Sequence, residues 1–165
     1  GDEAKLVGGD GGRRNLTLAD VRSWGEHTGV RQKYTFMDAK GRIPSSKWAR
    51  WGPGTYKGGD YWESENGLLR SLKLIEKMWK DEGILRPEGP NDLVVFYCGS
   101  GWRSSLAWVI SKLLGWENTM NYDGGWFEWT TTHKNASRHR IEILGPVEPP
   151  PPPPFLLPED KDACQ

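Results

Sequence analysis

Apolar stretches long enough to cross a bilayer are absent from this 165-residue chain, which argues against a helical membrane span. Cysteine is scarce: Cys98 and Cys164 are the only two, too few for a disulfide framework or a zinc cluster. A charge surplus is missing as well, since Lys plus Arg and Asp plus Glu each number 22. Without a basic excess the chain does not advertise the cationic face that phosphate-driven binding needs, so neither nucleic acid nor membrane is expected as a partner. The three histidines, His27, His133 and His139, are scattered, and none stands at a recognisable spacing from Cys98. No Cys-His-Asp triad, metal-ligand set or cofactor is therefore expected. With no secretory leader pattern and no disulfide pattern, a reactive thiol suits an intracellular reducing compartment, either cytosol or organelle matrix.

What the chain does contain is concentrated in Leu93–Leu114. LVVFY is a continuous run of β-branched and aromatic residues, suited to a strand buried on both faces of a parallel sheet. It delivers Cys98 into the loop CGSGWR, and SSLAWVISKLL follows as an amphipathic helix. Gly99 and Gly101 remove Cβ atoms where the backbone must bend and present its N–H groups. Ser100, Ser104 and Ser105 add small polar groups near the helix start. With the positive end of a helix behind it, this nest of donors suits an anionic or charged sulfur. Arg103 closes the loop with a fixed positive charge. Cys98 is accordingly read as a nucleophile.

Strand-like and helical segments alternate along the chain. Thr17 is read as the cap of a helix to about Glu26, and YTFMD (Tyr34–Asp38) as a strand. Leu68, Leu72, Ile75 and Trp79 mark one face of a helix that stops before Gly83. Thr119–Tyr122 is read as a final short strand after a helix that ends at Gly115. Such alternation predicts an α/β layered domain with a mostly parallel sheet, whose ligand site lies at the strands' carboxyl ends, where Cys98 stands. GGDGG at Gly8–Gly12 lacks the Lys-Ser/Thr ending of a phosphate loop and is read as a connector.

The loop resembles the active-site loop of the rhodanese sulfurtransferases. NYDGGWFEWT (Asn121–Thr130) resembles the stretch after the last helix-strand unit of those domains. GRIPSSKWA (Gly41–Ala49) resembles their Gly-x-Ile-Pro-Gly-Ala segment, with Ser45 and Ser46 where Gly and Ala are usual. The resemblance runs from about Thr17 to Thr130. It implies a rhodanese-like three-layer α/β domain and a two-step transfer in which Cys98 takes a sulfane sulfur from a small donor as a persulfide. A thiol- or cyanide-type acceptor would then receive it. Gly99, Ser100, Gly101, Trp102 and Ser104 would cradle the terminal sulfur, while Arg103 would anchor the loop or the donor's anionic end. Cysteine-dependent phosphatases on the same fold carry a loop one residue longer, so the resemblance favours sulfur transfer over phosphate hydrolysis. A non-catalytic relay or regulatory domain, with a partner surface near Trp51, Trp62 or Trp102, is the other alternative.

The donor stays open among thiosulfate, 3-mercaptopyruvate and polysulfide. CGSG looks like the mercaptopyruvate enzymes, whereas YCGSGWRSS looks like the multi-domain rhodaneses that make ergothioneine from polysulfide. Many rhodaneses carry Asp-x-Arg after the second strand, and YTFMDAK sets Asp38 and Lys40 at the matching positions. By that resemblance Asp38, Lys40 and Arg42 are candidate substrate-binding residues.

Composition changes sharply near the end. Residues 1–14 are read as a flexible leader or domain boundary, 15–145 as the folded domain and 146–165 as a proline-rich tail. Its Pro149–Pro154 run favours an extended rod that acts as a spacer or, less simply, as a ligand for a proline-binding module. The chain is also read as a piece of a longer protein with further rhodanese domains as neighbours. Ten tryptophans are expected mostly in packing, with Trp102 at the pocket rim and Arg50–Glu63 as a lid or interface.

Overall fold

The computed structural model describes residues 15–52, 59–63, 66–131 and 140–151. The leader with GGDGG, His133, His139, Cys164 and the tail beyond Pro151 lie outside the described residues.

The order is β1 (Asn15–Asp20), α1 (Trp24–Thr28), β2 (Lys47–Trp48), α2 (Leu72–Asp81), β3 (Asp92–Tyr97), α3 (Trp102–Leu113), β4 (Thr119–Tyr122) and α4 (Gly125–Thr131). The four strands form an all-parallel sheet in the order β2-β1-β3-β4, flanked by helices. This is the expected layered α/β arrangement. Its centre is the β1–β3 pair, in register from Asn15 opposite Asp92 to Asp20 opposite Tyr97. That register brings the end of β1 beside Cys98, and the Val21 N–H donates to the Tyr97 carbonyl at 2.7 Å.

Alternation along the strands divides the core. Ala19, Val94 and Phe96 face a cluster with Ile75, Met78, Trp79, Ala107, Ile110 and Trp116. Leu18 and Tyr97 face a second cluster with Met37, Ile43 and Trp126. In the first cluster an aromatic chain runs Trp51–Tyr61–Trp79, with Trp79 also against Phe96 and Trp116. The Trp79 Nε1–H donates to Tyr61 Oη at 2.7 Å, and Tyr61 donates to the Ala49 carbonyl at 2.6 Å, so the polar tips of these two rings are satisfied. Each fully buried indole removes about 150–250 Å² from water, worth up to roughly 4–6 kcal/mol. Trp51 belongs to this core rather than to a partner surface.

Two expected elements are different in the structure. Thr17 caps no helix: Asn15–Asp20 is the central strand β1, because β2 and β3 pair on both sides of it. Helix starts instead at Ser23, in a capping box with Glu26. Tyr34–Asp38 is not a strand but part of an irregular loop, with Met37 buried in the second cluster. Leu68 precedes α2 and is exposed. The remaining expected elements agree within about two residues, and β4 matches Thr119–Tyr122.

Among the described residues no helix is long and apolar enough to cross a membrane.

Candidate active site

Cys98 stands directly after β3, buried at the base of the loop that leads into α3. Gly101 caps α3 with φ +78°, a conformation in which a Cβ is strained, and a Cβ there would lie 2.5 Å from Asp123 Oδ1. The first-turn amides of α3, on Trp102, Arg103 and Ser104, have no intrahelical acceptor. The start of α4 holds the loop from the other side: Trp126 and Phe127 N–H donate to the carbonyls of Cys98 and Gly99 at 2.8 and 2.9 Å. Ser104 Oγ lies 3.6 Å from Cys98 Sγ and 3.0 Å from the Gly101 carbonyl, so its one proton can serve either.

Arg103 is buried and turned away from solvent. Its two terminal nitrogens each donate to Glu26 at 2.9 Å, and Nη2 also donates to Tyr34 Oη at 2.8 Å. The same Glu26 accepts from the Ser23 amide and hydroxyl. Burial alone would raise the Glu26 carboxyl, but Arg103 outweighs it and holds it below the usual carboxylate range. Burial opposes the Arg103 charge, and Glu26 restores it with a net rise. The phenol of Tyr34 is raised, chiefly by burial, and stays neutral at physiological pH. Thus the loop's guanidinium ties α3 to α1, with its charge neutralised by a buried carboxylate. Tyr34 also abuts the loop, since a Cβ on Gly99 would fall 2.6 Å from its hydroxyl.

A second polar network lies under the same strand ends. Asp20, fully buried, accepts from Arg22 Nε and Nη2 at 2.8 and 2.7 Å, from Tyr97 at 3.0 Å and from His27 Nδ1 at 2.8 Å. Burial is the largest influence on Asp20 and would raise it; Arg22 and His27 together hold it far below the ordinary range. Arg42 Nη1 donates to His27 Nε2 at 2.6 Å, which fixes His27 with its proton on Nδ1, and Arg42 Nη2 reaches Glu142 at 2.6 Å.

Asp20-Val21-Arg22 is therefore the Asp-x-Arg at a strand end with its Asp buried, which corrects the assignment to YTFMDAK. Asp38 and Lys40 are exposed on the irregular loop, and Arg42 is committed to His27 and Glu142. Ser100 and Trp102 are exposed, Trp102 at 85%. Lys40 lines a cavity of about 350 Å³ with Ser23, Glu26, Val30, Arg31, Gln32 and Lys33. Glu26, Tyr34, Asp20, Arg22 and His27 were not singled out from sequence, although Ser23-x-x-Glu26 was visible as a capping box. Among the described residues no His, Cys, Asp and Glu group could hold a metal ion.

The family model of the rhodanese-like domain matches residues 5–132. The chain belongs to the rhodanese-like domain family. This rhodanese-like chain is 36% identical over 123 residues to the thiosulfate sulfurtransferase YnjE of Escherichia coli (strain K12), covering 74% of the chain and 27% of that protein. To the thiosulfate sulfurtransferase of Corynebacterium glutamicum it is 31% identical, covering 69% and 35%. The crystal structure of YnjE superposes with a TM-score of 0.67 at 32% identity, over 79% of this chain and 29% of that one. Wild-type EanB gives 0.65 at 36% identity, over 77% and 27%. The chain thus spans about a third of the length of these relatives.

Proposed function

We propose that this rhodanese-like domain is a sulfurtransferase that carries sulfane sulfur as a Cys98 persulfide. The observation that carries this reading is Cys98 at the end of β3, under a four-residue loop whose helix-start amides have no intrahelical acceptor, with Ser104 Oγ 3.6 Å from the thiol sulfur. The Cys98 thiolate attacks the outer sulfur of the donor, forming an S–S bond as the donor's own bond to that sulfur breaks and its electron pair leaves with the remainder, for example sulfite from thiosulfate. An acceptor thiolate or cyanide then takes the outer sulfur and regenerates the Cys98 thiolate. Names of relatives support thiosulfate as one donor; mercaptopyruvate and polysulfide remain the alternatives.

Arg103 acts as loop anchor, because Glu26 already neutralises it. Arg31, Lys33 and Lys40 line a cavity beside Glu26, the partner of Arg103, and are the candidates to receive the donor's anionic end. Its cations are crowded: Lys33 is lowered first by burial and then, against the pull of Glu26, by Arg103 and Arg31, which an incoming anion would relieve. Gly99, Ser100, Gly101, Trp102 and Ser104 form the cradle, while Arg42 joins His27 to Glu142.

A relay to a protein acceptor is the second reading, supported by exposed apolar rings beside the loop. Phe36 packs on Tyr34 and on Phe127, whose amide binds Gly99, and Phe36 and Phe127 are 60% and 40% exposed. Intact-protein mass spectrometry after separate exposure to thiosulfate, 3-mercaptopyruvate and polysulfide tests the proposal. A gain of one sulfur that Cys98→Ser abolishes is expected; no gain from any donor overturns it.

A further inference from the structure

The described part of the tail does not leave the domain. Arg42 and Glu142 exchange backbone hydrogen bonds, and the Leu144 and Gly145 amides donate to the Thr28 carbonyl at 3.0 and 3.1 Å. Beyond them the chain crosses a tryptophan-lined face. Trp24 Nε1–H donates to the Val147 carbonyl at 2.7 Å, and its ring packs on Trp48 at 4.8 Å between centroids. The Arg50 guanidinium lies over Trp48 at 5.0 Å and donates from Nη2 to the Pro151 carbonyl at 3.1 Å. Arg50 holds φ +52°, a left-handed conformation uncommon for a residue with a side chain, and its guanidinium is fixed by Asp60 and Glu82. A strained, buried arginine aimed at a tail carbonyl is a built contact rather than a chance one.

We propose that Trp24, Trp48 and Arg50 form a recognition site for extended proline-rich peptide, filled here by the chain's own Val147–Pro151. The chemistry is that of polyproline recognition: an aromatic surface, with N–H donors that read carbonyls of a backbone having few donors of its own. Proline fixes φ, and Glu148, Pro149 and Pro150 each precede a proline and are held extended. Little conformational entropy is lost on docking. Two carbonyls four residues apart stand about 12 Å from each other in such a helix. The docked segment closes the site to other proline-rich ligands, because a tethered ligand acts at about millimolar effective concentration.

The test is an NMR titration of the full chain, following the Trp24 indole N–H, with the synthetic peptide Leu144–Pro151 as probe. The wild-type resonance is expected to stay unmoved by peptide. In a full-chain variant with Pro149→Gly, Pro150→Gly and Pro151→Gly it should shift, then return toward the wild-type position as peptide is added. A peptide with those prolines replaced by glycine should bind at least tenfold more weakly. If the variant's resonance equals the wild type's, or peptide fails to restore it, the site does not recognise proline-rich chain. Hydrogen exchange in the unaltered protein is an independent check: Trp24 Nε1–H should exchange slowly, and exchange at the rate of an exposed indole would overturn the docking itself.

Discussion

Replacing Glu26 by Gln is the sharpest test of how the loop is held. The carboxylate accepts four hydrogen bonds, two from Arg103 and two from Ser23. A glutamine amide placed where Oε2 stands would point its N–H groups at the Ser23 amide, the Ser23 hydroxyl and Arg103 Nη1. Turned over, it faces Arg103 Nη2. Either way at least one donor meets a donor, and a buried guanidinium loses its counter-charge. Removing one partner of a buried pair costs about 3–5 kcal/mol, and the surviving carbonyl contacts favour the lower end, about 3 kcal/mol. At this chain length that is a fall in melting temperature of roughly 6–12 °C. With Arg103 released, the loop amides lose their fixed aim, and sulfur loading should fall on the order of 100-fold.

A double-mutant cycle separates this coupling from general damage. Arg103→Met alone leaves Glu26 buried and unpaired, so it should cost as much as Glu26→Gln. The double variant buries no unpaired charge and should be less destabilised than the sum by at least about 1 kcal/mol. Chemical denaturation of the four proteins measures it. Additivity within about 0.5 kcal/mol would refute the claim that the loop is anchored through this pair.

Ser104→Ala removes the hydroxyl 3.6 Å from Cys98 Sγ, and a lost hydrogen bond of about 1 kcal/mol should slow sulfur loading roughly 5-fold with little change in melting; unchanged loading would remove Ser104 from the site. Gly101→Ala forces a side chain into left-handed backbone against Asp123, so about 2–3 kcal/mol of stability should be lost, read as a lower urea midpoint at constant slope. Glu26 and Asp20 are held below their unfolded values, so their stabilisation is present above about pH 4 and is lost as pH falls through the folded values. Glu26→Gln should flatten that acid limb; an unaltered limb would show that Glu26 contributes nothing to it.

The β3–loop–α3 unit was legible because local chemistry and tertiary placement agree there: LVVFY favours a strand wherever it lies, and the glycines punctuate it. Asn15–Asp20 was not, because Leu16, Leu18 and a capping-type Thr17 suit a helix start as well as a short strand. Pairing with β3 over its full length decides the matter. Tyr34–Asp38 has strand-forming residues but no strand beside it, so it lies over the sheet and buries Met37 instead. With Tyr34–Asp38 read as a strand, Asp38 and Lys40 fall at a strand end; the strand end that the fold does form is that of β1, and it carries Asp20 and Arg22. The partnership of Glu26 with Arg103 spans 77 positions, and no local pattern announces it.

The five residues of α1 gather these threads. Glu26 holds the Cys98 loop through Arg103, His27 joins Asp20 to Arg42, Thr28 accepts the tail's amides, and Trp24 donates to the Val147 carbonyl. A helix this short has no stability of its own, because nucleation outweighs so few internal hydrogen bonds. Its order is therefore set by its partners. The tail contacts and the Arg103 anchor must then be thermodynamically linked, since both require α1 in one conformation, and loosening either one weakens the other.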